Sequence, residues 1–136
     1  KKVTGIDIDK TGIKIAKKYA EENNFDIEYI TKDVKDAETK ADTIIMNPPF
    51  GAQKGNKKGD RIFIEKGFEL GKIIYSLHLA ETIPFLEKMI KSLNGEITFS
   101  KGYSFPIKHI YEFHTKKVVK YDVTLLRIKT NKWYKY

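Results

Sequence analysis

The chain has 136 residues and no cysteine, which excludes disulfides and thiolate metal sites. Its three histidines, His78, His109 and His114, are scattered without matching acids and give no metal-ligand spacing. No apolar run approaches the ~18 residues of a membrane span, and the opening residues do not read as a signal peptide. Negative charge is the scarcer sign: 18 Asp and Glu stand against 26 Lys and Arg, a formal net charge of +8. Such a surface favours polyanions, nucleic acid first among them; a composition rich in lysine throughout explains the same charge without any ligand. What remains, 40% hydrophobic and 32% charged residues, reads as one soluble, globular domain with one core, and the cytoplasm is the expected setting.

Strand and helix signals alternate, which makes the chain α/β. Val3–Ile8 reads as a strand, and Asp9 can cap a following helix with Ile13, Ala16 and Ala20 on one face. Asn23 and Asn24 end that helix. Asp26–Thr31 and Ala41–Asn47 read as strands, the latter with the unbroken apolar run of a buried parallel strand. A polar loop precedes a helix over Arg61–Leu70, and Lys72–Leu79 is a strand. A helix fits Thr82–Leu93, with Pro84 in its first turn and Asn94-Gly95 as its stop. Glu96–Ser100 and the alternating Val118–Thr130 complete the strands. No repeat, linker or second domain is evident.

Proline is scarce, four in all, and two of the four are adjacent. The run Ile44–Gly51, "IIMNPPFG", ends an apolar strand in Asn47-Pro48-Pro49-Phe50. Two prolines remove two backbone donors and fix φ twice, so the chain is stopped and aimed. An amide, free carbonyls and an aromatic ring are left on display, a set suited to a flat group that carries an amine. An ordinary strand-ending turn is the plainer alternative.

Another absence concerns glycine. A doubly wound sheet usually binds its cofactor at a glycine-rich turn after its first strand, and none follows Val3–Ile8. The expectation is therefore that residues 1–136 form the larger, C-terminal part of a single domain, without its leading strand, glycine loop and helix. Alone, such a piece should bind its cofactor weakly.

In order and spacing, "GIDID", "KDV", "IIMNPPFG", "YSLH" and "YEFHTKK…YDVTLLRIKT" resemble the class I S-adenosylmethionine-dependent methyltransferases. Within these, the set is similar to the archaeal and eukaryotic methyltransferase-like proteins that methylate adenine in small-subunit ribosomal RNA. The resemblance implies a Rossmann-like doubly wound sheet with an antiparallel last strand. It also implies an enzyme that uses S-adenosyl-L-methionine on an adenine amino group in RNA, the alternatives being a methyltransferase acting on a guanine amino group or a protein glutamine amide, or a non-catalytic RNA-binding remnant of the fold. Asn47 and the Pro48 carbonyl would hold the amino group, Pro49 would stiffen the segment and Phe50 would stack on the base. Asp7 would accept from the cofactor ribose and Ile8 would pack on its adenine; Asp33 and the Val34 amide would meet the adenine edge. Extra capping for Asp7 and a solvated loop for Asp33 are the structural alternatives.

Lys54, Lys57 and Lys58 in the loop after the motif suit phosphates, or plain solvation. Lys108, His109, Tyr111, Phe113, His114, Lys116 and Lys117 interleave bases and aromatics as single-stranded RNA requires; the alternative has Tyr111 and Phe113 in the core. His78, in "YSLHL", reads as a buried histidine near the site rather than a catalytic base. Eukaryotic members of the family work with a small zinc-binding activator, which would pair along the edge strand Asp26–Thr31. No membrane partner is implied.

Overall fold

The structure, a computed structural model, describes residues 1–49, 59–108 and 118–131. The chain divides into two compact units, Lys1–Thr39 and Lys40–Tyr136.

In the first unit, strands β1 (Thr4–Asp7) and β2 (Glu28–Thr31) pair in parallel, with Thr4 opposite Glu28 and Asp7 opposite Thr31. Helix α1 (Lys10–Glu22) connects them. It starts where Asp9 caps it, Oδ1 accepting from the Thr11 amide at 2.9 Å, which satisfies one of the unpaired donors of the first turn. Ile13 and Ala20 are its buried residues, and Ala16 is half-buried beside them. The helix ends at Asn23; Asn24 takes φ 55°, a left-handed conformation that Asn tolerates better than most residues. The Phe25 amide then bonds back to the Ala20 carbonyl at 2.8 Å. That return bond delays sheet pairing, so β2 begins at Glu28 and not at Asp26. Gly5 lies opposite Tyr29, where a Cβ would come within 2.8 Å of the Tyr29 ring.

The second unit holds a four-stranded sheet in the order β3-β4-β6-β5. Strands β3 (Ala41–Met46) and β4 (Gly71–Leu79) are parallel. Strand β6 (Val118–Thr130) runs antiparallel to both β4 and β5 (Gly95–Lys108). Helices α2 (Gly59–Leu70) and α3 (Ile83–Ser92) make the connections. The long last strand is antiparallel, as the resemblance implies, and lies beside β4. Strands β1 and β3 belong to different sheets. Together these features are a Rossmann-like α/β arrangement with an antiparallel last strand.

Strand β5 is much longer than the expected Glu96–Ser100. It continues through Gly102 and Pro106, both of which lie within the ladder to β6. As the terminal strand of its sheet, β5 can carry a residue without an N–H.

The core joins Ile64 and Phe68 of α2, Leu86 and Ile90 of α3, Ile74 of β4, and Leu126 and Ile128 of β6. Each such fully buried aliphatic side chain stabilises by roughly 1.5–3 kcal/mol. At Gly95 a Cβ would run into the Phe68 ring, so only glycine lets β5 begin against that ring.

Candidate functional site

Parallel strands send their C-terminal ends to one edge, which is where α/β sheets bind ligands. In the first unit Asp7 is the last residue of β1, and Asp33 lies two residues beyond the end of β2. The pairing of Asp7 with Thr31 and a 2.9 Å bond from the Lys32 amide to the Asp7 carbonyl hold both acids at that edge. Asp7 is exposed, and its Oδ1 accepts from the Asp9 amide at 2.9 Å. The expected capping alternative is therefore partly realised: one carboxylate oxygen is engaged locally, while the other keeps its acceptor capacity. Asp9 is the helix cap, as anticipated.

Ile8 follows Asp7 with 66% of its surface exposed, an unusual display for isoleucine. Asp33 caps a 3-10 turn over Val34–Asp36, its Oδ1 accepting from the Lys35 amide at 3.0 Å. Lys35 Nζ lies 3.7 Å from the other carboxylate oxygen. Val34 opens that turn, a position whose N–H has no acceptor within the helix. The set combines two carboxylate acceptors for hydroxyl and amino donors, one backbone amide donor and one apolar surface. Hydroxyl and amino donors of a nucleoside are the kind of group such a set can take.

In the second unit the ladder from β3 to β4 runs to the pair Met46–Ser76, and Asn47, Pro48 and Pro49 follow. Asn47 and Pro49 are exposed, whereas Pro48 is buried. A buried proline has fixed φ and no side-chain freedom to lose, so it holds the amide before it on a stiff stem. Asn47 can offer its side-chain oxygen as an acceptor; Pro48, whose carbonyl is the second expected acceptor, is fully buried.

His78 is buried, as the sequence implies, but the polar partners it has in this unit escaped sequence reasoning. Ser76 and His78 alternate with Ile74 along the buried face of β4, and both are fully buried. Ser76 Oγ lies 2.6 Å from His78 Nε2. Asp60, in the first turn of α2, brings Oδ1 to 3.6 Å from His78 Nδ1, with its side chain 14% exposed. Neither of those two atoms has a hydrogen-bond partner. The available signal was the appearance of Ser and His at the buried phase of an otherwise aliphatic strand.

Phe50, Lys54, Lys57, Lys58, His109, Tyr111, Phe113, His114, Lys116 and Lys117 lie outside the described residues. Lys108 closes β5, and only its backbone is described. No cluster of three or more His, Cys, Asp or Glu that could hold a metal occurs among the described residues.

Residues 1–69 match the family model of the methyltransferase small domain. An uncharacterized protein of Methanocaldococcus jannaschii is 39% identical over an alignment covering 94% of this chain and 63% of that protein. The rRNA N(6)-adenosine-methyltransferase METTL5 of Danio rerio is 30% identical, covering 90% of this chain and 62% of its own length. Among solved structures, a protein of Pyrococcus horikoshii provisionally assigned as an RNA methyltransferase superposes with a TM-score of 0.83 at 30% identity, over 96% of this chain and 64% of that one. The chain spans just under two thirds of the length of each of these relatives.

Proposed function

The chain belongs to the methyltransferase small domain family, and from that premise we propose that it serves S-adenosylmethionine-dependent methylation of an adenine amino group in RNA, ribosomal RNA foremost. The observation that carries this reading is the exposed Asn47 amide standing before the buried Pro48 at the end of β3. An adenine amino nitrogen is a weak nucleophile because its lone pair is delocalised into the ring. Acceptors on both of its hydrogens draw it toward tetrahedral geometry and free the lone pair. The Asn47 oxygen and the Pro48 carbonyl are suited to that task, and the stiff stem preorganises them. Phe50, next in sequence, supplies a ring for the base, with stacking worth about 1–3 kcal/mol. In folded RNA the target base must be turned out of its stack to reach such a site.

S-adenosylmethionine supplies an electrophilic sulfonium methyl when bound. Asp7 would hold its ribose, Ile8 would cover its adenine, and Asp33 with the Val34 amide would read the adenine edge. The net charge of +8 supports a polyanionic substrate, with Lys54, Lys57, Lys58, Lys108, His114, Lys116 and Lys117 as candidates for its phosphates and bases. A small zinc-binding activator protein would pair along β2. Its ladder to β1 uses one side of that strand, and Tyr19 and Phe25 nearby in sequence are 61% and 54% exposed.

Single-turnover methylation of ribosomal RNA by the full-length protein and its Asn47→Ala variant tests the reading. The variant should lose about 10²–10³ in rate and keep its affinity for the cofactor. A wild-type rate in Asn47→Ala, or label recovered on guanine or glutamine, would refute it.

A further inference from the structure

We propose that the aromatic face of strand β5, Phe99, Tyr103 and Phe105 with Lys101 among them, is a stacking platform for unpaired RNA bases that flank the target. The proposal rests on the reading of the chain as an RNA methyltransferase and adds a substrate surface to it.

One extra residue makes this face. Ile97 pairs with Ile128 and packs against the core, but the ladder slips at Thr98, and Phe99 pairs with Arg127. Without the slip, Phe99, Tyr103 and Phe105 would share the side of Ile97, toward α2 and α3. With it they take the opposite side, and Ser100, Gly102 and Ser104 take the helix side. A β-bulge re-aims side chains in this way. This one is pinned: Arg127 Nε donates to Thr98 Oγ1 at 2.9 Å, and that hydroxyl donates to the Arg127 carbonyl at 3.2 Å. The three re-aimed rings are 42%, 41% and 49% exposed. Turning them away from a core is the reverse of what packing alone favours.

The surroundings select the occupant. On this side, in the rows from Phe99–Arg127 to Phe105–Tyr121, the charged residues are Lys101 and Arg127, with no acid beside them. Lys101 Nζ stands 5.3 Å from the centre of the Tyr103 ring, a cation held against a π-face. Rings interleaved with cations suit a polyanion whose bases stack and whose phosphates are neutralised. An apolar protein segment would have no use for the cations.

The ladder fixes where the platform lies. Met46, Ser76, Leu126 and Ser100 form one row across the sheet. Asn47, one residue on from Met46, is level with the next row, that of Leu77, Leu125 and Lys101. Three strand spacings separate Asn47 from Lys101, about 14 Å at about 4.8 Å each. That is too far for the target base itself and suits a neighbour along the strand. Tyr103 is level with Leu79, the last residue of β4. Past it β5 and β6 run on together to the pair Lys108–Val118, roughly 17 Å further at about 3.4 Å per residue. Phe105 stands on this projecting ribbon, at the edge of the sheet where Asn47 emerges. Bases that stack there must be unpaired, because a duplex hides their faces.

Binding of fluorescently labelled oligo(A) to the full-length protein tests this. Wild type should bind the single strand more tightly than the same strand paired with oligo(U). Phe105→Leu keeps an apolar side chain and removes the π-face. It should weaken binding of the single strand about 5- to 150-fold, and Phe105→Tyr should bind as wild type does. Equal affinity in wild type and Phe105→Leu overturns the proposal; a lower melting temperature in that variant, with RNA affinity intact, would show that protein covers the face instead. Should Phe105→Leu fail to fold, cross-linking of the wild type to a 4-thiouridine oligonucleotide decides. Adducts on Tyr103 or Phe105 support the platform, and adducts confined to other residues overturn it. Methylation plays no part in either measurement. Adenine methylation by a protein whose Phe105→Leu variant binds oligo(A) normally would refute the platform alone. Loss of binding in that variant, without adenine methylation by the wild type, would refute the adenine reading alone.

Discussion

The two units of this chain are held together in different ways. In Lys1–Thr39 the buried apolar residues are Ile13, Ala20 and Ala37, two of them alanines. Its order comes from local devices: the Asp9 cap, the return bond from Phe25 to Ala20, the Asx-type bond of Asp7 and the cap at Asp33. In Lys40–Tyr136 seven large side chains from four different segments form one cluster. The first unit displays short-range hydrogen bonds and carries residues for a small polar ligand. The second invests in long-range packing and presents one stiff turn. The proposed cofactor contacts suit a locally built edge, because each carboxylate is oriented by its own neighbouring amide. The proposed acceptor for a target amino group gains from the rigidity of a core behind it.

The largest expected effect separates the units. Leu126→Ala empties a fully buried site and should cost about 2–5 kcal/mol, seen as a lower denaturation midpoint. Amide exchange in β4 and β6 should accelerate with it, while exchange in α1 changes less. Equal acceleration in both units would erase the distinction drawn above. Gly95→Ala comes next. Its methyl would press on the Phe68 ring, and overpacking of this kind costs typically 1–3 kcal/mol. Pairing Gly95→Ala with Phe68→Leu should recover part of the loss, which thermal melts of the double variant would read.

Smaller effects belong to the local devices. Asp9→Ala should cost about 1 kcal/mol through the lost cap, with fraying confined to the start of α1 by hydrogen exchange. The smallest concerns Asp42 in the second unit, where the Lys72 ammonium at 2.7 Å holds its carboxyl below the usual carboxylate range by hydrogen bonding and by charge. A lowered folded-state pKa gives stability that is present above the ordinary carboxylate pKa and lost as pH falls through the lowered one. Both partners are substantially exposed, so the acid-limb difference between wild type and Asp42→Asn should be slight at low ionic strength and vanish near 1 M salt.

Local chemistry explains which parts were legible in sequence. Asp9 as a cap, Asn23 and Asn24 as a stop and the strand Val118–Thr130 all follow from residues within a few positions of each other. Strand β5 is longer than Glu96–Ser100 because a terminal strand can run on through Gly102 and Pro106, which nothing local in the sequence announces. Strand β2 was read long because the Phe25 return bond depends on a helix end five residues earlier. Asp7, Asp33 and Asn47 could be placed at strand ends because strand ends are themselves local. Asp60 could not be joined to His78 in sequence. Their meeting requires α2 to fold back along β4, and nothing within either segment announces it.

The order β3-β4-β6-β5 has a consequence for how the protein is made. Strand β5 leaves the ribosome before β6, yet β6 is its only ladder partner among the described strands. For the roughly one to few seconds needed to add the intervening residues at about 5–20 residues per second, Phe99, Tyr103 and Phe105 lie on a strand with nothing to pair to. Newly made chain is most open to mispairing in that interval, and Pro106, unable to donate to a foreign strand, guards the far end of β5 until its proper neighbour arrives.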